Sequence, residues 1–122
     1  MKSFILIFLN QNLSIMLTPI FVWKDRTLEK IHPELIVRLV TEKNYTKIYL
    51  VDVDTPYMVR STLSNALKKL PEEIFIKTHR AYAVSILYIN FIARDHLMVG
   101  SEIVPIAKQY YRSVMEKLVI IE

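Results

Sequence analysis

From Ile20 to Ile106 the chain alternates between short runs of β-branched and aromatic residues and small clusters of turn formers. Ile20-Phe21-Val22-Trp23 reads as a strand and Lys24-Asp25-Arg26 as a polar hairpin tip. Thr27-Leu28-Glu29-Lys30-Ile31 alternates as a half-buried strand does. Pro33, in His32-Pro33-Glu34, disfavours regular pairing and marks a connector. Residues 35–40 follow as a strand with Arg38 as their one polar member. Residues 41–47 read as a polar loop running into a strand at 48–51. A turn at 52–56 then returns the chain through a paired strand at 57–60.

Two stretches change period. Leu63, Ala66, Leu67 and Leu70 recur at helical spacing, with Ser61 or Thr62 as the cap. Lys68 and Lys69 suit the negative end of that helix, and Pro71 stops it. Near the end, Tyr110, Tyr111, Val114, Met115 and Leu118 form an apolar stripe on a helix beginning at about Ala107. Between the two helices, residues 89–93 and 97–99 pair as strands around Arg94-Asp95-His96. Gly100-Ser101 turns into a further extended segment at 102–106. The expected fold is mainly β: short antiparallel sheets with one small covering helix and a C-terminal helix.

Residues 75–89 stand apart because a cationic pair, His79-Arg80, is pinned between two apolar runs. Phe75 and Ile76 lie before it; Tyr82, Val84, Ile86 and Leu87 lie after it. Buried flanks hold the peptide between them, and an anchored guanidinium loses less entropy on meeting a phosphate or a guanine edge. Pairing with a surface carboxylate explains Arg80 equally well at this stage.

The first residues form a separate unit. Phe4-Ile5-Leu6-Ile7-Phe8-Leu9 follows Lys2 as a signal peptide would, but Asn10-Gln11-Asn12 ends the run and no small-residue cleavage site follows. The run is far short of the roughly 20 residues that span a bilayer. Residues 1–18 are read as an extension, an added strand or a disordered segment, and 19–122 as one domain. Membrane contact is not expected, and the cytoplasm is the expected compartment.

Composition narrows the chemistry. The 122 residues are 52% hydrophobic, which favours one folded domain over disorder. The absence of cysteine excludes disulfides, thiolate zinc and thiol catalysis. One glycine, Gly100, cannot build a glycine-rich phosphate cradle. A net charge of +4 tilts the chain toward anionic partners. His32, His79 and His96 share no helical i,i+4 interval, so no metal or other cofactor is expected. Asp52 and Asp54 beside Thr55-Pro56 read as a turn, and Ser85 has no evident base. No enzyme is expected.

Anion recognition fares better. Three basic clusters fall at element junctions: Lys43-Asn44-Tyr45-Thr46-Lys47, Lys77 through Arg80, and Lys108-Gln109 with Arg112. Each mixes cations with amide, hydroxyl or imidazole donors, a combination suited to phosphates and base edges of a duplex. Each alone is also an ordinary solvated loop.

Several of these residues recur in one family. Phe21-Val22-Trp23-Lys24, Asn44-Tyr45 before a strand, Arg60-Ser61-Thr62-Leu63 and Leu70-Pro71 occur in order. Phe75 and Ile76 then lead to His79-Arg80-Ala81-Tyr82-Ala83-Val84-Ser85, which resembles the signature His-Arg-Ser-Tyr-x-Val-Asn. With Ile89 and Pro105-Ile106-Ala107-Lys108, the stretch from Phe21 to Leu118 resembles the LytTR DNA-binding domain of bacterial transcription regulators. The resemblance implies an elongated β-sandwich whose loops enter successive major grooves of double-stranded DNA, with a homodimer on repeated sites as one arrangement. It places base contacts at Asn44, Tyr45, Arg80 and either Lys108 or Gln109. Charge adds Lys43, Lys77 and Arg112 as phosphate contacts, and Thr46, Lys47 and His79 are counted with them. Ala81, Ser85 and Ala107 depart from the family's Ser, Asn and Ser. The family often joins this domain to a phosphorylatable receiver; these 122 residues have no room for one, so a transcription regulator is expected that acts stand-alone, or is the fragment of a longer regulator. The rival reading is a protein-interaction module pairing through β-edges and the apolar N-terminal run.

Overall fold

In a computed structural model, which describes residues 17–122, ten strands form three antiparallel sheets. β1 (Ile20–Lys24) and β2 (Thr27–Ile31) make a two-stranded ribbon. The central sheet has the order β5-β4-β3-β7-β6, from β3 (Ile36–Glu42), β4 (Tyr45–Leu50), β5 (Tyr57–Val59), β6 (Phe75–His79) and β7 (Tyr82–Ser85). β8 (Ile89–Ile92), β9 (His96–Val99) and β10 (Glu102–Pro105) complete the third sheet. The expectation for residues 1–16 lies outside the described residues; Leu17, counted with that extension, is buried. Among the described residues no helix is long and apolar enough to cross a membrane.

The central sheet is covered on both faces, which explains its continuous apolar runs. Neighbours in sequence point to opposite sides of a strand, and here they enter different cores. Phe75 and Ala83 join Leu39, Ile48, Val22, Ile31, Leu63 and Leu70 in one cluster. Ile76 and Val84 join Leu97, Val99, Val104, Ile106 and Val114 in the other. The layers are therefore the β1–β2 ribbon with the first helix, the central sheet, and the β8–β10 sheet with the last helix.

One sequence expectation fails at residues 41–47. β3 continues to Glu42, Lys43-Asn44 forms a two-residue turn, and β4 starts at Tyr45. Thr41 and Thr46 face each other across the hairpin, their hydroxyls 3.3 Å apart, so polar side chains here occupy ladder positions. Lys43 takes φ 56, the left-handed value such a tight turn demands.

Helix α1 (Leu63–Leu67) is shorter than its apolar spacing predicts. Its cap is Thr62, whose hydroxyl accepts the Asn65 N–H at 3.1 Å. Beyond Leu67 the backbone tightens into i→i−3 bonds at Lys69 and Leu70 before Pro71. Helix α2 (Tyr111–Glu116) follows a 3₁₀ turn at Lys108–Tyr110 and buries Val114 against the third sheet.

A candidate nucleic-acid interface

The β6–β7 turn is held from three sides. The Ala81 N–H donates to His79 Nδ1 at 3.1 Å, and the Ala81 carbonyl accepts the Thr41 N–H at 2.8 Å. The His79 ring also stands edge-on to Tyr82, with centroids 5.5 Å apart. Arg80, at the tip of this clamped turn, is exposed. His79 is therefore first a turn clamp: its Nδ1 is an acceptor, and only Nε2–H is left to meet a phosphate.

The Thr41–Ala81 bond sets the Lys43-Asn44 turn beside Arg80. Lys43, Asn44, Lys77 and Arg80 line one open cleft of about 590 Å³, together with Thr41, Arg60 and residues 61–65 at the start of α1. None of the lining residues is acidic. The Lys77 ammonium is 3.4 Å from Ser64 Oγ and 5.8 Å from the centre of the Tyr110 ring, poised between α1 and the turn before α2.

The third cluster is tied to the second through the backbone. A register shift between Lys77 and His79 breaks the ladder at Thr78, whose carbonyl accepts the Ala107 N–H at 2.8 Å. Lys108 and Gln109, next in the chain, are exposed. Lys108 and Arg112 border a further cleft with Arg94, Asp95, Ile106 and Tyr111, where the Arg94 guanidinium lies 5.2 Å from the centre of the Tyr111 ring. His96 beside Asp95 holds that carboxyl below its usual range.

Three of the expected contacts stand elsewhere. Thr46 is fully buried and its hydroxyl donates to the Ser61 carbonyl at 2.8 Å, so it cannot meet a phosphate. Lys47 is paired with Glu42 at 2.6 Å. The pair raises the lysine's pKa and lowers the carboxyl's. Tyr45 is exposed but lines an apolar groove beside β1, outside the cationic cleft. Arg60, Ser64 and Asn65 are cleft residues that the sequence pattern had placed in a strand end and a covering helix. Their only signal was the polar run just ahead of the first helix.

Stacked antiparallel sheets with a carboxylate-free cationic cleft describe an anion-binding all-β domain. The chain belongs to the LytTR family of DNA-binding domains: the family model described as the LytTr DNA-binding domain matches residues 26–119. The fold is similar to that of a solved LytTr DNA-binding domain from Bacillus cereus, with a TM-score of 0.68 and 17% identity. That match covers 81% of this chain and 94% of the other. A comparison with curated proteins gives no match. The family is one of DNA-binding domains in transcription regulation rather than of enzymes.

Proposed function

We propose that this domain binds double-stranded DNA sequence-specifically, its turns at 43–44, 80–81 and 108–109 entering successive major grooves. The observation that carries this reading is the single cleft that gathers Lys43, Arg60, Lys77 and Arg80 without a carboxylate. Cations in that arrangement neutralise phosphates and release counterions, the dominant source of duplex affinity. Arg80 has the role of base reader: it is exposed on a turn whose backbone is already fixed, and its fork matches the O6 and N7 atoms of guanine. Asn44 is the second reader and Lys108 or Gln109 the third. Lys43, Lys77 and Arg112 hold the backbone, and Arg60 joins them. Two copies on repeated half-sites would lengthen the read sequence, in a cytoplasmic setting.

The test is selection of bound duplexes from a random pool at two salt concentrations. An enriched motif, with affinity falling steeply as salt rises, is the expected result. No enrichment together with salt-insensitive binding to protein would instead favour a protein-interaction module.

A further inference from the structure

Between the β1–β2 ribbon, the β4–β5 pair and α1 lies an open groove of about 540 Å³. Its floor is made of core residues: Val22, Leu39, Ile48 and Leu70 are buried and apolar. Its walls are large side chains left in water, with Phe21, Trp23 and Met58 58%, 65% and 52% exposed. Small-molecule sites span roughly 300–1,000 Å³ and are lined by apolar and aromatic groups, with a few polar ones to fix the ligand.

The rim supplies those polar groups. Arg60, just after β5, and Lys69, just after α1, are exposed, and among the described residues neither pairs with a carboxylate. No acidic residue lines the groove. Glu29, opposite Val22 on the ribbon, is already engaged: the Tyr57 hydroxyl donates to it at 2.8 Å. Two cations beside an apolar floor fit a molecule of matching polarity, whose apolar body gains by leaving water while one anionic head stays at the rim. A second copy set face to face here would bring its own Arg60 and Lys69 against these two.

We infer that this groove binds a small amphiphilic carboxylate, with its apolar tail on Leu39, Ile48 and Leu70 and its head at Arg60 and Lys69. The planar fork of Arg60 suits a carboxylate, which it meets through two parallel hydrogen bonds. Arg60, Ser61 and Asn65 also border the cationic cleft. One consequence rests on the DNA-binding reading proposed above. A head group that holds Arg60 removes a phosphate contact, so ligand and duplex weaken each other's binding by the same factor.

Trp23 is the only tryptophan and stands in the groove wall, so its emission reports occupancy without DNA. Decanoate, titrated below its micelle concentration, is expected to shift that emission to the blue and to saturate at one molecule per chain. Decyltrimethylammonium, with the same tail and the opposite charge, should not saturate. Arg60→Gln and Lys69→Gln should each weaken decanoate roughly tenfold, and Met58→Glu, which sets a carboxylate on the exposed wall, should do the same. The absence of a saturable shift in the unaltered chain overturns the site, and needs no variant to fold. Equal binding of the two head groups also overturns it, as adsorption of a detergent to any apolar surface. At matched ionic strength, saturating decanoate should lower duplex affinity severalfold in the unaltered chain and less in Arg60→Gln. Duplex affinity that decanoate leaves unmoved overturns the coupling alone; a chain that binds no duplex overturns the DNA-binding reading and leaves the Trp23 titration to decide the site.

Discussion

The Ala107 N–H and the Thr78 carbonyl meet at 2.8 Å, joining the segment ahead of the last helix to the irregular strand that carries Lys77 and His79. A second bond of the same length, from the Thr41 N–H to the Ala81 carbonyl, joins the Lys43-Asn44 turn to the turn bearing Arg80. Three clusters far apart in sequence are thus fixed to one another by main-chain atoms, which substitution of side chains leaves in place.

Arg80→Ala is therefore expected to change recognition without changing the fold. Loss of a bidentate base contact costs roughly 1–3 kcal/mol of DNA affinity and relaxes preference at one base position. Thermal unfolding should stay within about 0.5 kcal/mol of the parent, as for an exposed residue. Binding titrations against the selected duplex and its single-base variants measure both effects. Unchanged affinity and preference would remove Arg80 from the interface.

Lys43→Gly separates stability from binding. The lysine holds φ 56, a conformation that costs an L-residue roughly 1–2 kcal/mol and glycine little, although glycine's looser unfolded chain returns part of the gain. The variant should melt no lower than the parent. It should also bind every duplex more weakly, with the slope of log affinity against log salt reduced by about 1. A lower melting temperature, or an unchanged salt slope, contradicts this assignment.

The two fully buried threonines should respond oppositely to valine. Thr46 donates to the Ser61 carbonyl, so Thr46→Val loses that bond and costs about 1–3 kcal/mol. The Thr78 hydroxyl is buried with no hydrogen-bond partner, so Thr78→Val is expected to be neutral or stabilising. Urea unfolding of both variants decides this. DNA affinity per folded molecule should not fall for Thr46→Val, as it would for a phosphate contact.

The Glu42 carboxylate should titrate below its ordinary range because Lys47 bonds to it, and Lys47→Gln should move it back up toward that range, with Lys43 still holding it down slightly. With a depressed folded pKa, the pair's contribution is present above the unfolded value and fades as pH falls through the folded one. Carboxyl chemical shifts followed through an acid titration read this directly. An unmoved Glu42 titration in the variant would show the pair to be absent in solution.

Much of the β pattern was legible because alternation and turn formers coincide. Thr27–Ile31 forms the expected strand, although Leu28 faces solvent and only Ile31 is buried, and Gly100, at φ 59, turns the chain between β9 and β10. The β3–β4 hairpin was hidden because Thr41 and Thr46 bond within the sheet while looking like loop residues in sequence. The three basic clusters could be seen singly by charge. Their association rests on the Thr41–Ala81 and Thr78–Ala107 bonds, which no local pattern encodes. Arg60 was obscured for a related reason: a cation at a strand end reveals a partner surface only once the neighbouring turns are placed.

The lack of any carboxylate in the cleft has a thermodynamic consequence for the free domain. Lys43, Arg60, Lys77 and Arg80 repel one another whenever no anion lies between them, so the unliganded fold carries an internal electrostatic penalty. A polyanion relieves that penalty only in the native state, and its binding energy becomes added resistance to unfolding. Heparin or duplex DNA should thus raise the melting temperature well beyond what small neutral solutes achieve, making heat denaturation a gauge of occupancy at this surface.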